Sequence, residues 1–372
     1  MSLTPTTLIV GASAAGYSCA MELARDPDQK IVLIDQSPFM PYNVCRLTAV
    51  IKKECALENI YLPLSNGIEY HAATALRAID STNQQVIVEK AQKSHILPYD
   101  RLVLALGTRP AIPALIKDSQ SIPTIPFHTL SDTHQILRRI SSGSRIAIIG
   151  GGINGVELAA ALCSRGVQVV LVERAPHCLP QFPPEVGLHI ARVLEKLGCT
   201  VICGEAVEAI TPRGIRIDRR EYRVECAIVA AGVVPATERI SFEGERTEQG
   251  EIITHAQGAT TISNIFAVGD CAARVSSGIT IRPSCRWGAA IAQGIALGRE
   301  FTGITHLPLR SPTTSTAQIG PFILTWSGSY PREMPLEKIQ LDTSVKWCWH
   351  TNGGSVAGFV QMSMLGGTEV FV

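Results

Sequence analysis

Residues 145–173 read RIAIIGGGINGVELAAALCSRGVQVVLVE, and this stretch decides the fold. Residues 145–149 form an apolar run that is typical of a strand buried in a parallel sheet. Three glycines follow, then a helical pattern over 156–164, then a second apolar run over 169–172 that ends at Glu173. This order of strand, glycine-rich turn, helix, strand and acid is the fingerprint of a dinucleotide-binding fold.

Each element of this fingerprint has a physical task. Gly150 permits the tight turn, Gly152 lets the backbone approach a phosphate, and Gly155 permits close packing of helix on strand. A carboxylate at Glu173 accepts hydrogen bonds from both ribose hydroxyls and repels a 2′-phosphate. It therefore favours NADH over NADPH, although the neighbouring Arg174 keeps NADPH open.

Residues 7–35, TLIVGASAAGYSCAMELARDPDQKIVLID, are a second, less complete copy. Gly11 and Gly16 occupy the first and third glycine positions, whereas Ser13 replaces the middle one, and the second strand ends at Asp35. An ordinary strand–turn–helix is the alternative interpretation of this copy. Two such sites in one chain indicate two dinucleotides that act together, one bound permanently and one exchanging.

The composition excludes several classes of protein. With 33 Lys+Arg against 32 Asp+Glu, the chain has no basic surplus for nucleic acid or an anionic membrane. No apolar stretch is long enough to span a bilayer. The 11 cysteines form no C-x-x-C and no cluster with zinc spacing, so we expect reduced thiols, a cytoplasmic location and no metal.

Three further segments make the pattern specific. They are 99–113 (YDRLVLALGTRPAIP), 227–235 (AIVAAGVVP) and 260–273 (TTISNIFAVGDCAA). With the two fingerprints, and in this order over residues 6–303, the chain resembles the FAD-dependent pyridine nucleotide-disulfide oxidoreductase superfamily. The resemblance implies an α/β fold with two Rossmann-like domains of the glutathione-reductase type, plus a small C-terminal α+β domain. It places the FAD domain at 1–109 and 233–303, the NAD(P)H domain at 110–232 and the small domain at 304–372.

The resemblance also implies which residues hold the cofactors. For FAD they are Gly11, Ser13, Ala14, Ala15, Gly16, Asp35, Gln36, Arg46, Gly107, Thr108, Arg109, Gly269, Asp270 and Trp287. For NADH they are Gly150, Gly152, Ile153, Asn154, Gly155, Glu157, Glu173, Arg174 and Gly232, with Ile153 and Glu157 lining the nicotinamide pocket. Asp270 follows an apolar strand and so lies at a carboxyl end, where such sheets bind ligands; a helix N-cap is its alternative role. Core packing is the alternative for Trp287.

Residues 41–48, PYNVCRLT, separate two subfamilies. The segment resembles that of rubredoxin and flavorubredoxin reductases, in which a Tyr and a polar residue precede Leu-Ser or Leu-Thr. Cys45 also falls where coenzyme A disulfide reductase and NADH oxidase place a redox cysteine, although Arg46 replaces their glycine. Arg46 would stabilise a Cys45 thiolate, whereas a small filler beside the flavin is the alternative. The C-x4-C pair of dithiol reductases is absent.

The C-terminal segment favours the rubredoxin reductases. Residues 308–312 resemble the Lys-Thr-Pro segment that opens their small domain, and 345–362 resemble their closing strands. Arg310 is therefore a candidate to stabilise the reduced flavin, with a plain salt bridge as its alternative. Two departures leave the partner surface open: Val44 stands where these reductases have a Lys, and the chain ends without their final helix.

The expected function is transfer of electrons from NADH through FAD to a small acidic redox protein such as rubredoxin. A positive rim would attract such a carrier, and its candidates are Arg46, Lys52, Lys53, Arg282 and Arg286. Two alternatives stay open: a single-cysteine disulfide reductase or NADH oxidase that uses Cys45, and an NADH-sensing flavoprotein with little turnover. The sequence does not indicate an oligomeric state.

Overall fold

The computed structural model describes residues 5–117, 121–303, 314–328, 330–331, 334–341, 344–351 and 354–365. The chain divides into two compact units. Unit 1 comprises residues 1–45, 57–109 and 233–312, and unit 2 comprises 46–56, 110–232 and 313–372. The finer division into three domains stays a prediction.

The helices of the described residues are short, apart from the last. They are Ala14–Leu23 (α1), Leu47–Lys52 (α2), Ala114–Lys117 (α3), Leu130–Leu137 (α4), Ile153–Cys163 (α5), Pro184–Lys196 (α6) and Trp287–Thr302 (α7). Single 3₁₀ turns occur at Val44–Arg46, Leu57–Ile60, Ala256–Gly258 and Gly269–Cys271.

The strands fall into parallel and antiparallel sheets. They are Thr6–Val10 (β1), Lys30–Ile34 (β2), Ile68–His71 (β3), Thr74–Asp80 (β4), Gln85–Lys90 (β5), Lys93–Pro98 (β6), Arg101–Leu104 (β7), Thr108–Pro110 (β8), Thr124–Pro126 (β9), Arg145–Ile149 (β10), Gln168–Glu173 (β11), Thr200–Cys203 (β12), Val207–Thr211 (β13), Gly214–Ile217 (β14), Arg220–Arg223 (β15), Cys226–Val229 (β16), Val233–Pro235 (β17), Ile252–Thr254 (β18), Ile265–Ala267 (β19), Ala272–Ser276 (β20), Ile279–Ile281 (β21), Thr314–Ile319 (β22), Phe322–Ser327 (β23), Leu336–Leu341 (β24), Ser344–His350 (β25) and Val356–Met364 (β26).

A five-stranded parallel sheet forms the centre of unit 1, in the order β3-β2-β1-β7-β19. Successive residues of its strands enter two different cores. Leu8 and Val10 belong to one hydrophobic cluster, whereas Ile9 belongs to the cluster that contains α1. Both faces of the sheet are therefore buried, which explains why its strands are continuous apolar runs. The meander β4-β5-β6 and the sheet β18-β20-β21 complete the unit.

Unit 2 repeats this architecture with the parallel order β12-β11-β10-β16-β9. A three-stranded antiparallel sheet, β13-β14-β15, accounts for the turn-rich stretch around 211–224. The described residues of the C-terminal segment contribute the antiparallel sheet β22-β23-β26-β25-β24. The expected α/β fold class with two Rossmann-like sheets is confirmed.

The glycines of both fingerprints are fixed by close backbone contacts. Gly11 and Gly150 have φ of +106° and +111°, a region that favours glycine. A Cβ on Gly16 would lie 1.9 Å from the carbonyl oxygen of Gly11, and one on Gly155 would lie 1.9 Å from that of Gly150. Each first helix thus crosses its own turn at a distance that excludes any side chain. Gly152 differs, because a Cβ there would meet nothing within 4 Å.

The substitution Gly155→Ala is expected to lower the free energy of unfolding by about 2–3 kcal/mol, because the added methyl must push α5 away from the turn. Urea unfolding followed by circular dichroism measures this change. The control is Gly152→Ala, whose methyl has open space and which should cost about 1 kcal/mol or less, the cost of alanine at a helix N-cap. Equal losses in the two variants would contradict the packing argument.

Candidate functional site

A carboxylate ties the end of β2 to the glycine-rich turn of unit 1. Asp35 Oδ2 accepts a hydrogen bond from the Ala12 N–H at 2.6 Å, and Oδ1 accepts one from the Ser37 N–H at 2.7 Å. Burial raises the pKa of Asp35, although both N–H donors act in the opposite direction. Each oxygen keeps a second lone pair, so a ligand hydroxyl can still donate to this carboxylate.

Unit 2 has the same arrangement, but the side chain of its acid is one methylene longer. Glu173 Oε2 accepts the Gly151 N–H at 2.6 Å, and Oε1 accepts the Ala175 N–H at 2.7 Å. In both units the carboxylate accepts two backbone N–H groups. One belongs to the residue after the first glycine, and the other belongs to the residue two positions after the acid. The two acids are therefore placed alike beside their turns, as ribose-binding carboxylates of this fold require.

The helices that follow the turns begin without a side-chain cap. The N-cap of α1 is Ser13 and that of α5 is Gly152, and neither forms a side-chain capping bond. The first N–H groups of a helix lack partners inside it, and with the helix dipole they form a site for a phosphate. Ser13 is exposed at this turn. Each turn thus presents N–H groups that can receive a phosphate beside a carboxylate that can accept ribose hydroxyls.

The turn after β19 adds a second carboxylate to unit 1. Gly269 has φ of +78° and donates its N–H to Gln293 Oε1 at 2.8 Å, and a Cβ on it would lie 2.9 Å from that of Ala15. Burial raises the pKa of the adjacent Asp270 to about 6. Within the described ranges, no hydrogen bond or ion pair satisfies the Asp270 carboxylate. A desolvated acid in this position fits a ligand that brings its own hydroxyl groups, such as the ribityl chain of FAD.

Glu157 is the most strongly perturbed acid of unit 2. It lies on α5, and its Oε1 accepts the Gln318 N–H of β22 at 2.8 Å. Burial raises the pKa of Glu157 to about 7, and the charge of Lys52 acts in the opposite direction. The structure thus joins Glu157 to the C-terminal sheet, a contact that the sequence did not indicate. Its role beside the nicotinamide stays a prediction.

Cys45 is an exposed thiol in the turn Val44–Arg46, and its N–H donates to Asn43 Oδ1 at 3.0 Å.

Arg46 and Lys53, which flank α2, are exposed, as a positive rim requires. Lys52 does not belong to such a rim, because its side chain is only 5% exposed and its Nζ lies 3.8 Å from Glu54. That part of the expected rim is wrong.

The remaining predicted cofactor residues have varied surroundings. Gly107 and Gly232 have φ of +62° and +103°, and a Cβ on either would meet nothing within 4 Å. Arg109 forms an ion pair with Glu238. Trp287, the first residue of α7, packs against the core cluster that contains α1. The other side chains differ in exposure. Those of Gln36, Asn154 and Arg174 are exposed, those of Thr108 and Ile153 are partly exposed, and those of Ala14 and Ala15 are buried.

Two kinds of site residue escaped the sequence analysis. Ala12 and Gly151 act through backbone N–H groups, and only their place after the first glycine could have signalled them. Gln293 lies in the middle of α7, and nothing in the sequence indicated that it would contact the site.

The predicted Arg310 lies outside the described residues. Those residues contain no group of three or more His, Cys, Asp or Glu placed to hold a metal, and no helix among them is long and apolar enough to cross a membrane.

Comparison with known proteins gives consistent matches. Residues 5–294 match the family model described as pyridine nucleotide-disulphide oxidoreductase. The NADH oxidase of Methanocaldococcus jannaschii is 29% identical over 315 residues, which are 80% of this chain and 70% of that protein. The nitric oxide reductase FlRd-NAD(+) reductase of Aliivibrio fischeri is 27% identical over 279 residues, 71% of each chain. The crystal structure of reduced Bacillus anthracis CoADR-RHD has a TM-score of 0.87 at 18% identity, and covers 98% of this chain and 72% of its own.

The raised pKa of Glu157 predicts a pH-dependent stability. An acid whose pKa rises on folding binds its proton more tightly in the folded chain, so it stabilises fully below its ordinary pKa of 4.5, and this contribution is lost as pH rises through about 7. Glu157→Gln stays neutral and keeps an oxygen acceptor for Gln318. Between about pH 5 and pH 8 the wild type should therefore lose stability relative to this variant in urea unfolding.

The matched control for this measurement is Glu205→Gln, which changes an exposed carboxylate of the same unit. Its stability should follow the wild type throughout. A parallel pH profile for wild type and Glu157→Gln would show that Glu157 does not titrate in this way.

Proposed function

Because the chain belongs to the pyridine nucleotide-disulphide oxidoreductase family, we propose that it passes electrons from NADH through FAD to a small acidic redox protein of the rubredoxin type. The chain is an NAD(H)-dependent flavoprotein reductase, and FAD and NADH are its cofactors. What we propose is the identity of the electron acceptor.

The repeated carboxylate–turn arrangement is the observation that carries the proposal. Unit 1 would hold FAD, with Asp35 at the adenosine ribose and Asp270 at the ribityl chain. Unit 2 would hold NADH, with Glu173 at the adenosine ribose. Glu173 opposes a 2′-phosphate because two negative groups would share one ribose edge. When bound, FAD supplies the conversion of a two-electron donor into single-electron transfers.

The protein's own contribution is then positioning and electrostatics rather than acid–base chemistry. The turn N–H groups and the helix N-termini of α1 and α5 neutralise phosphate charge. Glu157 can hold a proton near pH 7, and because its Oε1 accepts the Gln318 N–H, that proton would reside on Oε2. No hydride step requires it, so we assign Glu157 a positioning role.

A small redox protein is the acceptor that fits these residues best. A dithiol relay of the C-x4-C type is absent from the sequence, so that route to a substrate disulfide is closed. Arg46 and Lys53 leave positive charge exposed at both ends of α2, which suits an acidic carrier. The relative from Aliivibrio fischeri is named nitric oxide reductase FlRd-NAD(+) reductase. A cytoplasmic location is part of the proposal, because none of the 11 cysteines forms a disulfide in the structure.

A second candidate function uses Cys45 itself. Its thiol is exposed, and relatives named NADH oxidase match most of the chain. In that case the thiol would cycle through a sulfenic acid or a mixed disulfide.

Anaerobic titration with dithionite distinguishes the two candidates by counting electrons. Uptake of about two electrons per FAD is expected, because FAD is then the sole redox centre. The variant Cys45→Ser should take up the same number and keep its activity with a redox protein. Uptake of about four electrons by the wild type, falling to about two in Cys45→Ser, would instead establish the thiol enzyme.

Lys53→Glu tests the carrier surface. It should slow reduction of a rubredoxin about threefold or more at low ionic strength, because a rim charge acts mainly on the association rate. Reduction of a small neutral dye should stay unchanged. The control is Lys93→Glu, an exposed lysine of β6 in unit 1, which should affect neither acceptor. Equal rubredoxin rates in wild type and Lys53→Glu would remove α2 from the docking surface.

A further inference from the structure

Unit 2 contains a pair of thiols that the proposed reaction does not use. The Sγ atoms of Cys178 and Cys203 lie 3.8 Å apart. We propose that Cys178 and Cys203 form an oxidative modification site, and that their disulfide weakens NADH binding at Glu173. The second half of this proposal rests on the proposed function, whereas the disulfide itself does not.

The dithiol lies beside the carboxylate that would bind the ribose. Cys178 follows β11 and Cys203 ends β12, and these strands are paired neighbours in the parallel sheet. Ala175, which donates to Glu173, accepts the Gly204 N–H at 2.8 Å. One residue after Cys178, the Leu179 N–H donates to the Gly151 carbonyl oxygen at 2.8 Å.

The segment that carries Cys178 is also tightly held. Leu179 is fully buried and has φ of +52°, a left-handed conformation that is strained for this residue. The Cys178 carbonyl oxygen would lie 2.2 Å from a Cβ on Gly187 of α6. A backbone shift at Cys178 would therefore be passed on to Gly151, through the Leu179 hydrogen bond, and to the segment that follows Glu173.

The two thiols have unequal roles. Cys203 is partly exposed, whereas Cys178 is buried. The hydrogen bond between them lowers the pKa of Cys203 and raises the pKa of Cys178. The accessible Cys203 thiolate is thus the nucleophile, and Cys178 is the thiol that resolves its oxidised form.

The oxidant is a hydroperoxide. With hydrogen peroxide, the Cys203 thiolate attacks one oxygen, the O–O bond breaks, and a sulfenic acid and a hydroxide ion are formed. The proton that the Cys203 thiol had released converts the hydroxide into water. The Cys178 sulfur then displaces the hydroxyl group as a second water and forms the S–S bond. In total, two thiols are oxidised by two electrons and one peroxide is reduced to two waters.

We expect disulfide formation to change the nucleotide site because it shortens the distance between the two sulfurs. An S–S bond is about 2 Å long, so the sulfurs have to approach each other by about 1.8 Å. Glu173, Gly151 and the segment between Ala175 and Leu179 share one set of hydrogen bonds. Their displacement should raise the KM for NADH about threefold or more, since a carboxylate misplaced by about 1 Å loses its hydroxyl contacts.

The experiment treats the FAD-loaded enzyme with hydrogen peroxide, alkylates the remaining thiols and maps the cysteines by mass spectrometry. A peptide pair joined through Cys178 and Cys203 is expected. The KM for NADH, measured with a dye acceptor, should rise on oxidation and return after a dithiol reductant. Cys203→Ser should keep the wild-type KM before and after peroxide, although it retains the exposed Cys45.

Cys163→Ser is the matched control, because it removes another partly exposed thiol of unit 2 and should still form the Cys178–Cys203 disulfide. Recovery of both Cys178 and Cys203 as alkylated thiols, or their linkage to other cysteines, would overturn the modification site. A mapped disulfide with an unchanged KM would overturn its effect on NADH. Failure of NADH to reduce the untreated enzyme would refute the proposed function, whereas the peptide map would still decide the dithiol.

Discussion

The hydrogen bond between an acid at the end of a strand and the first glycine turn is the interaction on which both units depend. In unit 1 it joins Asp35 to the Ala12 N–H, and in unit 2 it joins Glu173 to the Gly151 N–H, each at 2.6 Å. A turn held in this way presents its remaining N–H groups outward at the start of a helix. The same bond therefore fixes the backbone and places the carboxylate that we propose binds ribose, so binding and folding would use one set of contacts.

Desolvated carboxylates are the second common feature of the site. Burial raises the pKa of Asp270 to about 6 and that of Glu157 to about 7, but their surroundings differ. Glu157 has a backbone donor in Gln318, so the protein itself satisfies one oxygen. Asp270 has no such donor among the described residues, which is the condition expected of a group that awaits a ligand hydroxyl. This contrast supports the different roles that we propose for the two acids.

Local patterns predicted much of this molecule. The apolar run 145–149 coincides with β10, and the acids Asp35 and Glu173 stand where the fingerprints put them. These features were predictable because each depends on a few adjacent residues with strict steric demands: a Cβ on Gly16 or Gly155 would lie only 1.9 Å from a carbonyl oxygen. Lys52 was mispredicted as exposed because its burial depends on how α2 packs, which the short helix does not reveal in sequence.

By itself, the sequence determined the two nucleotide folds, their order in the chain and the acids that serve them, because glycine spacing and strand periodicity are local properties. Only the tertiary structure decided which distant groups meet. It brought Gln293 to Gly269, Gln318 to Glu157 and Cys203 to Cys178. Such pairs depend on parallel strand order and on helices crossing a sheet, and residues far apart in sequence carry no local signal of that proximity.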